Sequence, residues 1–554
     1  MNVSTPHIVV ILADDLGWDD LGFRNGGEIH TPTIDALVAD GLELRQHYVQ
    51  SVCSPTRAAL LTGRYPLHNT VNDWLRPGVA TALPLDEMLL SQALAGAGYV
   101  AHAIGKWHLG FYSWAHTPTF RGFRSFLGFY NGGENYFTHT TRGKYDMRRE
   151  AGERCGARCS RVMAEASGVY STELFTTAAV GVVAQHPPTQ RLFLYLAYQA
   201  VHAPSQVPAR YTAAYAHSIR DPHRRVFAGM LSALDEGMAN LTSALRARGM
   251  LDETLLLLAS DNGGPTPDTP GGDYVGARNY PLRGGKHAIW EGGTRGTALL
   301  WAGGRTALVP PTRRGTASEA LMHVADWLPT LCAVAGVGRA CERGHLPIDG
   351  VDQSAALFFG RRGASPRDPP RTVAAATARA EVLYGRHDDA PDCWGHGSAH
   401  DDAIRDADGW KLIQGWGGLP ASWSHPVNGT AQAGVAGVAG VAGEAGVGGV
   451  AGVAGVAGVA GVLNAASAPS PCRGRAQLLY NVHDDPGEHT ELSASQPNVV
   501  ARLAARLNAL RATARDVVGG GGHPDPSCPP YDQTNHTDPR VGPIWQPWCD
   551  STKT

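Results

Sequence analysis

The chain has 554 residues, more than one hydrophobic core accommodates, so two domains are expected. Its formal net charge of -3, with 43% hydrophobic and 18% charged residues, gives no footing for nucleic acid and describes an ordinary globular protein. No apolar run approaches the roughly 20 residues of a membrane helix, so no membrane span is expected.

The N-terminal MNVSTPHIVVILADDLG has no basic n-region, and its apolar stretch, His7 to Ala13, runs straight into two aspartates. That pattern reads as a first strand rather than a signal peptide. Nine cysteines and N-x-[ST] sequons at Asn2, Asn240, Asn428 and Asn535 point instead to a secretory chain. Either a leader is missing from this sequence or the sequons are chance and the protein stays inside the cell; the secretory reading is preferred.

From residue 7 to 340, short β-rich apolar runs alternate with helical patterns. Strands are predicted at 7–13, 99–105, 191–198, 254–260 and 296–302, and helices in PTIDALVADG, PTRAALLTG, LPLDEMLLSQALAGAG and VFAGMLSALDEGMANLTSALRARG, the last capped by Gly249. This predicts an α/β fold with a large, mostly parallel central sheet flanked by helices. The Gly-, Pro- and charge-rich GRRGASPRDPPR marks a domain edge, dividing the chain into 1–370 and a smaller α+β domain, 371–554. In the latter, DAIRDADGWKLIQGW and RAQLLYNVHDDPGEHTEL read as strands with turns and NVVARLAARLNALRA as a helix. Residues 433–462 repeat Ala-Gly-Val, a period of three that fits neither helix nor strand amphipathicity. Without proline a collagen-like helix is not expected, and the tract reads as a disordered insertion.

In open α/β sheets, sites form at the carboxyl ends of strands. Two predicted strands end in oxygen donors, the first in Asp14-Asp15 and the fourth in Asp261-Asn262. Helix N-capping accounts for one residue of each pair at most, and adjacent buried carboxylates repel unless a cation lies between them. All-oxygen ligands favour Ca²⁺ or Mg²⁺ over zinc. Cationic and imidazole groups also follow strands: Lys106 and His108, two apart in GKWHLG; His202 in YQAVHAP; and Lys286 in the Gly-rich PLRGGKHAIW. Singly, each reads as surface or packing; together, beside four metal-type oxygens, they suggest a site for a sulfate or phosphate.

The stretch SVCSPTRAALLTG, residues 51–63, resembles the cysteine signature of type I sulfatases of the alkaline phosphatase superfamily: Cys-x-Pro-x-Arg, an apolar pair, then Thr-Gly. GYVAHAIGKWHLG is similar to their second signature, with Ala101 where Ser or Thr is usual. LADDLGWDDLGF, LFLYLAYQAVHAP, DNGG, PLRGGKHAIWEGGTRG, ADWLPTL, DPGEHTEL and GPIWQPW follow in order and resemble the arylsulfatase B (N-acetylgalactosamine-4-sulfatase) branch most closely.

The resemblance implies a sulfuric ester hydrolase acting on sulfated carbohydrates or aryl sulfates, with an alkaline-phosphatase-like catalytic domain. It implies that Cys53 is converted to Cα-formylglycine by a formylglycine-generating enzyme, whose hydrate supplies one hydroxyl to attack sulfur and another to eject sulfate. Asp14, Asp15, Asp261 and Asn262, with an oxygen of modified residue 53, would hold one Ca²⁺ per chain, in preference to Mg²⁺. Arg57 would fix the hydrate and the metal carboxylates, and His108 would assist regeneration of the aldehyde. Lys106 and Lys286 would bind sulfate oxygens, and His202 with Lys286 would protonate the leaving alcohol. The implied location is the secretory pathway, lysosome-like or extracellular. Close spacing suggests disulfides Cys155–Cys159, Cys332–Cys341 and Cys528–Cys549, leaving Cys393–Cys472 around the repeat. The alternatives are a phosphodiester or phosphonate hydrolase of the same superfamily and a binding homologue in which Cys53 is never modified.

Overall fold

A computed structural model of the chain describes residues 5–269, 274–338, 346–358, 379–385, 402–415, 417–419, 421–424, 477–521, 523–531 and 536–549. Strand β1 (His7–Ala13) is buried along its whole length, and its alternation serves two faces at once. Ile8, Val10 and Leu12 enter one core; Val9, Ile11 and Ala13 enter the other. A strand apolar on both faces belongs inside a sheet covered on both sides.

Around it stand α1 (Pro32–Ala39), β2 (Leu42–Leu44), α2 (Cys53–Thr62), β3 (Val100–Lys106), β4 (Ser125–Phe129), β5 (Arg148–Ala151), β6 (Ser160–Val162), α3 (Ser171–Gln185), β7 (Leu192–Ala197), α4 (Pro222–Ala247), β8 (Thr254–Ser260), β9 (Ala298–Ala302), β10 (Thr316–Ser318) and α5 (Trp327–Val334). The ten-stranded sheet has the order β10-β2-β9-β8-β1-β7-β3-β4-β5-β6. The five central strands, β8 to β4, are parallel, and β9 and β5 join them antiparallel on either side. Helices α2 and α5 contribute Leu60, Leu61, Leu328 and Leu331 to one core, while α3 and α4 contribute Phe175, Val183, Leu234 and Leu241 to the other. Asp221 caps α4 by accepting from the His223 N–H at 2.9 Å, and Gly249, at φ +68, ends it as expected.

The helix expected over LPLDEMLLSQALAGAG is shorter, Leu90–Gly96. Pro84 leads a turn rather than a helix, and the Gln92 side chain accepts from the Leu89 N–H, which starts the helix late.

The C-terminal part forms an antiparallel meander of β11 (Glu381–Gly385), β12 (Asp402–Asp406), β13 (Trp410–Gln414) and β14 (Gln477–Asn481), with α6 (Pro497–Arg511) on one face. Its other face carries Val382, Tyr384, Ile413 and Tyr480 onto Tyr48, Ile289 and Trp290 of the larger part. The boundary expected at 370, the Ala-Gly-Val tract and three sequons lie outside the described residues; Asn240 is exposed on α4. Disulfides Cys155–Cys159 and Cys528–Cys549 form as expected, whereas Cys341, Cys393 and Cys472 lie outside the described residues. No helix among the described residues is long and apolar enough to cross a membrane.

A buried ion network fastens the small sheet to the larger part. Lys411 Nζ on β13 lies 3.0 Å from Glu291 and 2.9 Å from Glu488, and Tyr48 Oη donates to Glu291 at 2.7 Å. Burial, opposed by Lys411 and reinforced by Glu291, pushes the Glu488 carboxyl up to about 7 from its ordinary 4.5. A raised folded-state value means that Glu488 contributes stability in full below about 4.5 and loses it as pH rises through about 7. Glu488→Gln, which mimics the protonated form, is therefore expected to flatten the melting temperature across that window relative to wild type. An unchanged slope would contradict the assignment.

Candidate functional site

Parallel register brings the candidate residues together. Ala13 pairs with Ser260, so Asp14 and Asp261 leave neighbouring strands side by side. Ala197 pairs with Leu12 on one side and Gly105 on the other, which carries Lys106 and the segment leading to His202 to the same edge. Gly105 has φ +98, and a Cβ there would lie 1.9 Å from the Ala197 carbonyl oxygen, so only glycine allows this approach. Asp15 adopts φ +62; its N–H donates to Asp261 Oδ1 at 3.2 Å, and its Oδ1 accepts from Asn262 Nδ2 at 2.7 Å.

Cys53 is the first residue of α2, two before the expected start at Pro55. Pro55 sits in the first turn, where its missing N–H costs no helical bond. Ser54 Oγ donates to the His108 carbonyl at 2.9 Å and accepts from the Leu75 N–H at 3.1 Å, binding the helix start to both neighbouring loops. One turn on, Arg57 donates to Asp261 Oδ2 from Nε at 3.0 Å and Nη2 at 2.7 Å, lies 3.5 Å from Asp14, and donates to the Lys106 carbonyl at 3.3 Å. Lys106 Nζ reaches Asp14 Oδ2 at 2.6 Å, and Lys286 Nζ reaches Asp15 Oδ2 at 2.9 Å. The His287 N–H donates to the Ser51 carbonyl at 2.8 Å, tying the Lys286 loop to the cysteine segment.

One oxygen from each of Asp14, Asp15 and Asp261 falls within 4.8 Å of the others, and Cys53 Sγ, a His202 nitrogen and an Asp14 oxygen do likewise. All ten candidates thus join one cluster. Burial, and then Asp261, pushes Asp14 up to about 8. Burial acts on Asp15 in the same sense, but Lys286, His202 and the Asn262 bond outweigh it and hold its carboxyl below the usual range. Burial pushes the Cys53 thiol up to about 11. Asp14 Oδ1 and Asn262 Oδ1 are buried without a hydrogen-bond partner. Two orphaned oxygens beside three crowded carboxylates fit a hard divalent cation.

The histidine tautomers follow from carbonyl partners, which can only accept. His202 Nδ1–H donates to the Ala203 carbonyl at 2.6 Å, so Nε2 keeps its lone pair and accepts from Lys286 Nζ at 3.1 Å. Burial, then the Lys286 ammonium, pushes His202 down to about 3. His108 Nε2–H donates to the Leu75 carbonyl at 3.1 Å, which leaves Nδ1 as a buried acceptor without a partner. Burial, Lys106 and Arg57 hold this imidazole neutral, well below its ordinary value.

Above the cluster opens a cavity of about 610 Å³. Cys53, His108 and Lys286 line its buried floor; Asp73, Trp74, Arg76, Asn135 and Arg142 line it nearer solvent. The latter five carry no pattern in sequence, because they lie on loops without periodicity. The doublet Gly132-Gly133 is a further functional feature that the sequence analysis missed: a Cβ on Gly132 would lie 2.6 Å from His108 Cε1, and one on Gly133 3.2 Å from His202 Cε1.

The sulfatase family model matches residues 6–337. The chain is 35% identical to mouse arylsulfatase J, over 98% of this chain and 80% of that protein, and 33% identical to bovine arylsulfatase A, over 66% and 69%. The crystal structure of Ps i-CgsB in complex with k-i-k-neocarrahexaose superposes with a TM-score of 0.65 at 24% identity, covering 92% of this chain and 94% of that one, which shows the shared fold. These matches carry the family and not the arylsulfatase B branch within it. With a sulfatase match over the part of the chain that builds the cluster, the protein belongs to the sulfatase family and is a sulfuric ester hydrolase.

Proposed function

We propose that the protein cleaves sulfate esters of saccharides, with residue 53 converted to formylglycine and Ca²⁺ held by Asp14, Asp15, Asp261 and Asn262. The observation that carries this reading is the placement of Cys53: buried on the cavity floor, at a helix start, with its sulfur among the Asp14 and His202 donor atoms. As formylglycine hydrate, residue 53 supplies the oxygen nucleophile and a second hydroxyl that lets sulfate go. Bound Ca²⁺ would supply positive charge to that hydrate and to the sulfate oxygens.

The chain's own groups perform the rest. Arg57, paired to Asp261, fixes the orientation of that carboxylate, which would hold the cation, and keeps the helix start in register with it. Lys106 and Lys286 bring positive charge to the sulfate oxygens as charge builds on them. His202 Nε2 faces Lys286 Nζ, so a proton taken by Nε2 from the ammonium is delivered from that same nitrogen to the leaving alcohol oxygen, while Nδ1–H stays on the Ala203 carbonyl. His108 Nδ1, the unpartnered acceptor, takes the proton of the hydroxyl that collapses to the aldehyde. The saccharide is suggested by the structural relative bound to k-i-k-neocarrahexaose, and its sulfate by the one in complex with its substrate D-glucosamine-2-N,6-O-disulfate. Residues 1–370 are assigned the catalysis and 371–554 a second domain that backs the Lys286 loop; maturation by a formylglycine-generating enzyme places the protein in the secretory pathway.

Mass spectrometry of the tryptic peptide Gln46 to Arg57 from protein of natural source is expected to show a lighter residue 53 that iodoacetamide does not alkylate. Fully alkylatable cysteine in active enzyme would refute the nucleophile. Cys53→Ser is expected to lose aryl sulfate turnover by about 10³-fold or more while staying folded. Ca²⁺ at about one hundred times its Kd should add about 2.7 kcal/mol to wild-type stability and much less to Asp261→Asn; equal stabilisation of both would place the cation elsewhere. Gly132→Ala should lower turnover by about a hundredfold through displacement of His108 with little change in melting temperature, and full activity would free His108 of its role.

A further inference from the structure

The outer half of the cavity has its own chemistry. Its wall carries the half-buried Trp74, Asp73 and Asn135, and two exposed arginines, Arg76 and Arg142. Among the described residues neither guanidinium has a carboxylate partner, although both line a cavity that also contains acidic groups. Glu134 is engaged inward by His139 Nδ1 at 2.8 Å and Ser171 Oγ at 3.2 Å, and one Asp73 oxygen takes the Trp74 N–H at 2.7 Å. Arg76 lies 5.7 Å from the Trp74 ring centroid, which holds it against the same wall.

Arg142 is presented by a rigid device. Thr140 pairs with Tyr145 and Thr141 with Lys144, so Arg142-Gly143 forms a two-residue hairpin tip with φ +49 and +77. Turns of this kind favour Asn-Gly or Asp-Gly, and an arginine at the first position adopts a left-handed backbone at a cost. The C-terminal segment braces this tip. Trp545 Nε1 donates to the Thr141 carbonyl at 2.9 Å, Lys144 Nζ lies 4.4 Å from the Trp545 ring and 4.3 Å from that of Tyr531, and Thr141 Oγ1 donates to the Gly133 carbonyl at 2.5 Å. A strained position held this firmly, with its charge turned to a substrate cavity, points to recognition.

We infer that Arg76 and Arg142 bind a second anionic group of a saccharide whose reacting sulfate lies on the cavity floor, with a sugar face against Trp74. This rests on the saccharide sulfatase reading and specifies its substrate: a sulfated saccharide with a further carboxylate or sulfate near the reacting ester. Both are planar or tetrahedral oxyanions suited to guanidinium hydrogen bonds. A cavity of about 610 Å³ is also larger than one small aryl sulfate needs.

The test compares Arg76→Ala, Arg142→Asn and the double variant with wild type; asparagine tolerates the left-handed backbone and keeps the hairpin. Four substrates are used: p-nitrocatechol sulfate, a sulfated disaccharide with a uronate carboxylate, its carboxyl-reduced counterpart, and a disulfated disaccharide. For whichever dianionic substrate is recognised, the ratio of its kcat/KM to that for the aryl sulfate should fall about tenfold per arginine, mostly through KM. That preference should also shrink with added salt. Comparison of the carboxylate and disulfated arms identifies the anion. Equal effects on all four substrates, or a wild-type enzyme that prefers the carboxyl-reduced disaccharide to both dianionic ones, would overturn the inference. Absence of wild-type turnover of all four substrates would instead overturn the saccharide sulfatase reading.

Discussion

Asp14, Asp15 and Asp261 are packed together at the ends of adjacent parallel strands, all fully buried, and their mutual repulsion is the constraint the surrounding side chains answer. Removing one partner from a buried ion pair costs about 3–5 kcal/mol, so such a cluster persists only where countercharge is built in. Arg57, Lys106 and Lys286 provide it from three different elements. Lys286 also lines the cavity above the cluster, so on the proposed function it has a second duty, to meet the charge of the sulfate. The proposed divalent cation would complete the arrangement by satisfying oxygens that no protein donor reaches.

The remaining architecture serves to keep those groups in place. Gly105 lets β3 approach β7 closely enough for Lys106 to reach Asp14, and Gly132 leaves the space that the His108 ring fills. The C-terminal sheet packs against Ile289 and Trp290, just past Lys286, and its Lys411 is buried between Glu291 and Glu488. The smaller part is thus a buttress for the Lys286 loop. The extreme C-terminus performs a similar service for the opposite wall, where Trp545 supports the hairpin that carries Arg142.

What sequence shows and what it hides divide along the same physical line. Strands β1 and β8 were legible to the residue because continuous burial writes continuous apolar runs, and the site was legible because parallel strands deliver their following residues to one edge. The cysteine signature pointed to position 53 as the proposed nucleophile, which spacing alone could not do. The helix over 83–98 was overextended because apolar content looks helical even where Pro84 turns the chain. The outer wall was invisible: Asp73, Trp74 and Arg142 meet only through loop paths, and the bond from Trp545 to Thr141 spans 404 residues. Local pattern carries no trace of such contacts.

The central claim is that one cation and one modified residue share the carboxylate cluster. The most direct measurement is a crystal structure of the naturally matured enzyme with Ca²⁺, with the cation located by anomalous scattering. The account predicts a single peak bounded by Asp14, Asp15, Asp261 and Asn262, with an oxygen of residue 53 as a further ligand. An unmodified thiol at residue 53 in active enzyme, or a cation bound away from these four side chains, would contradict it.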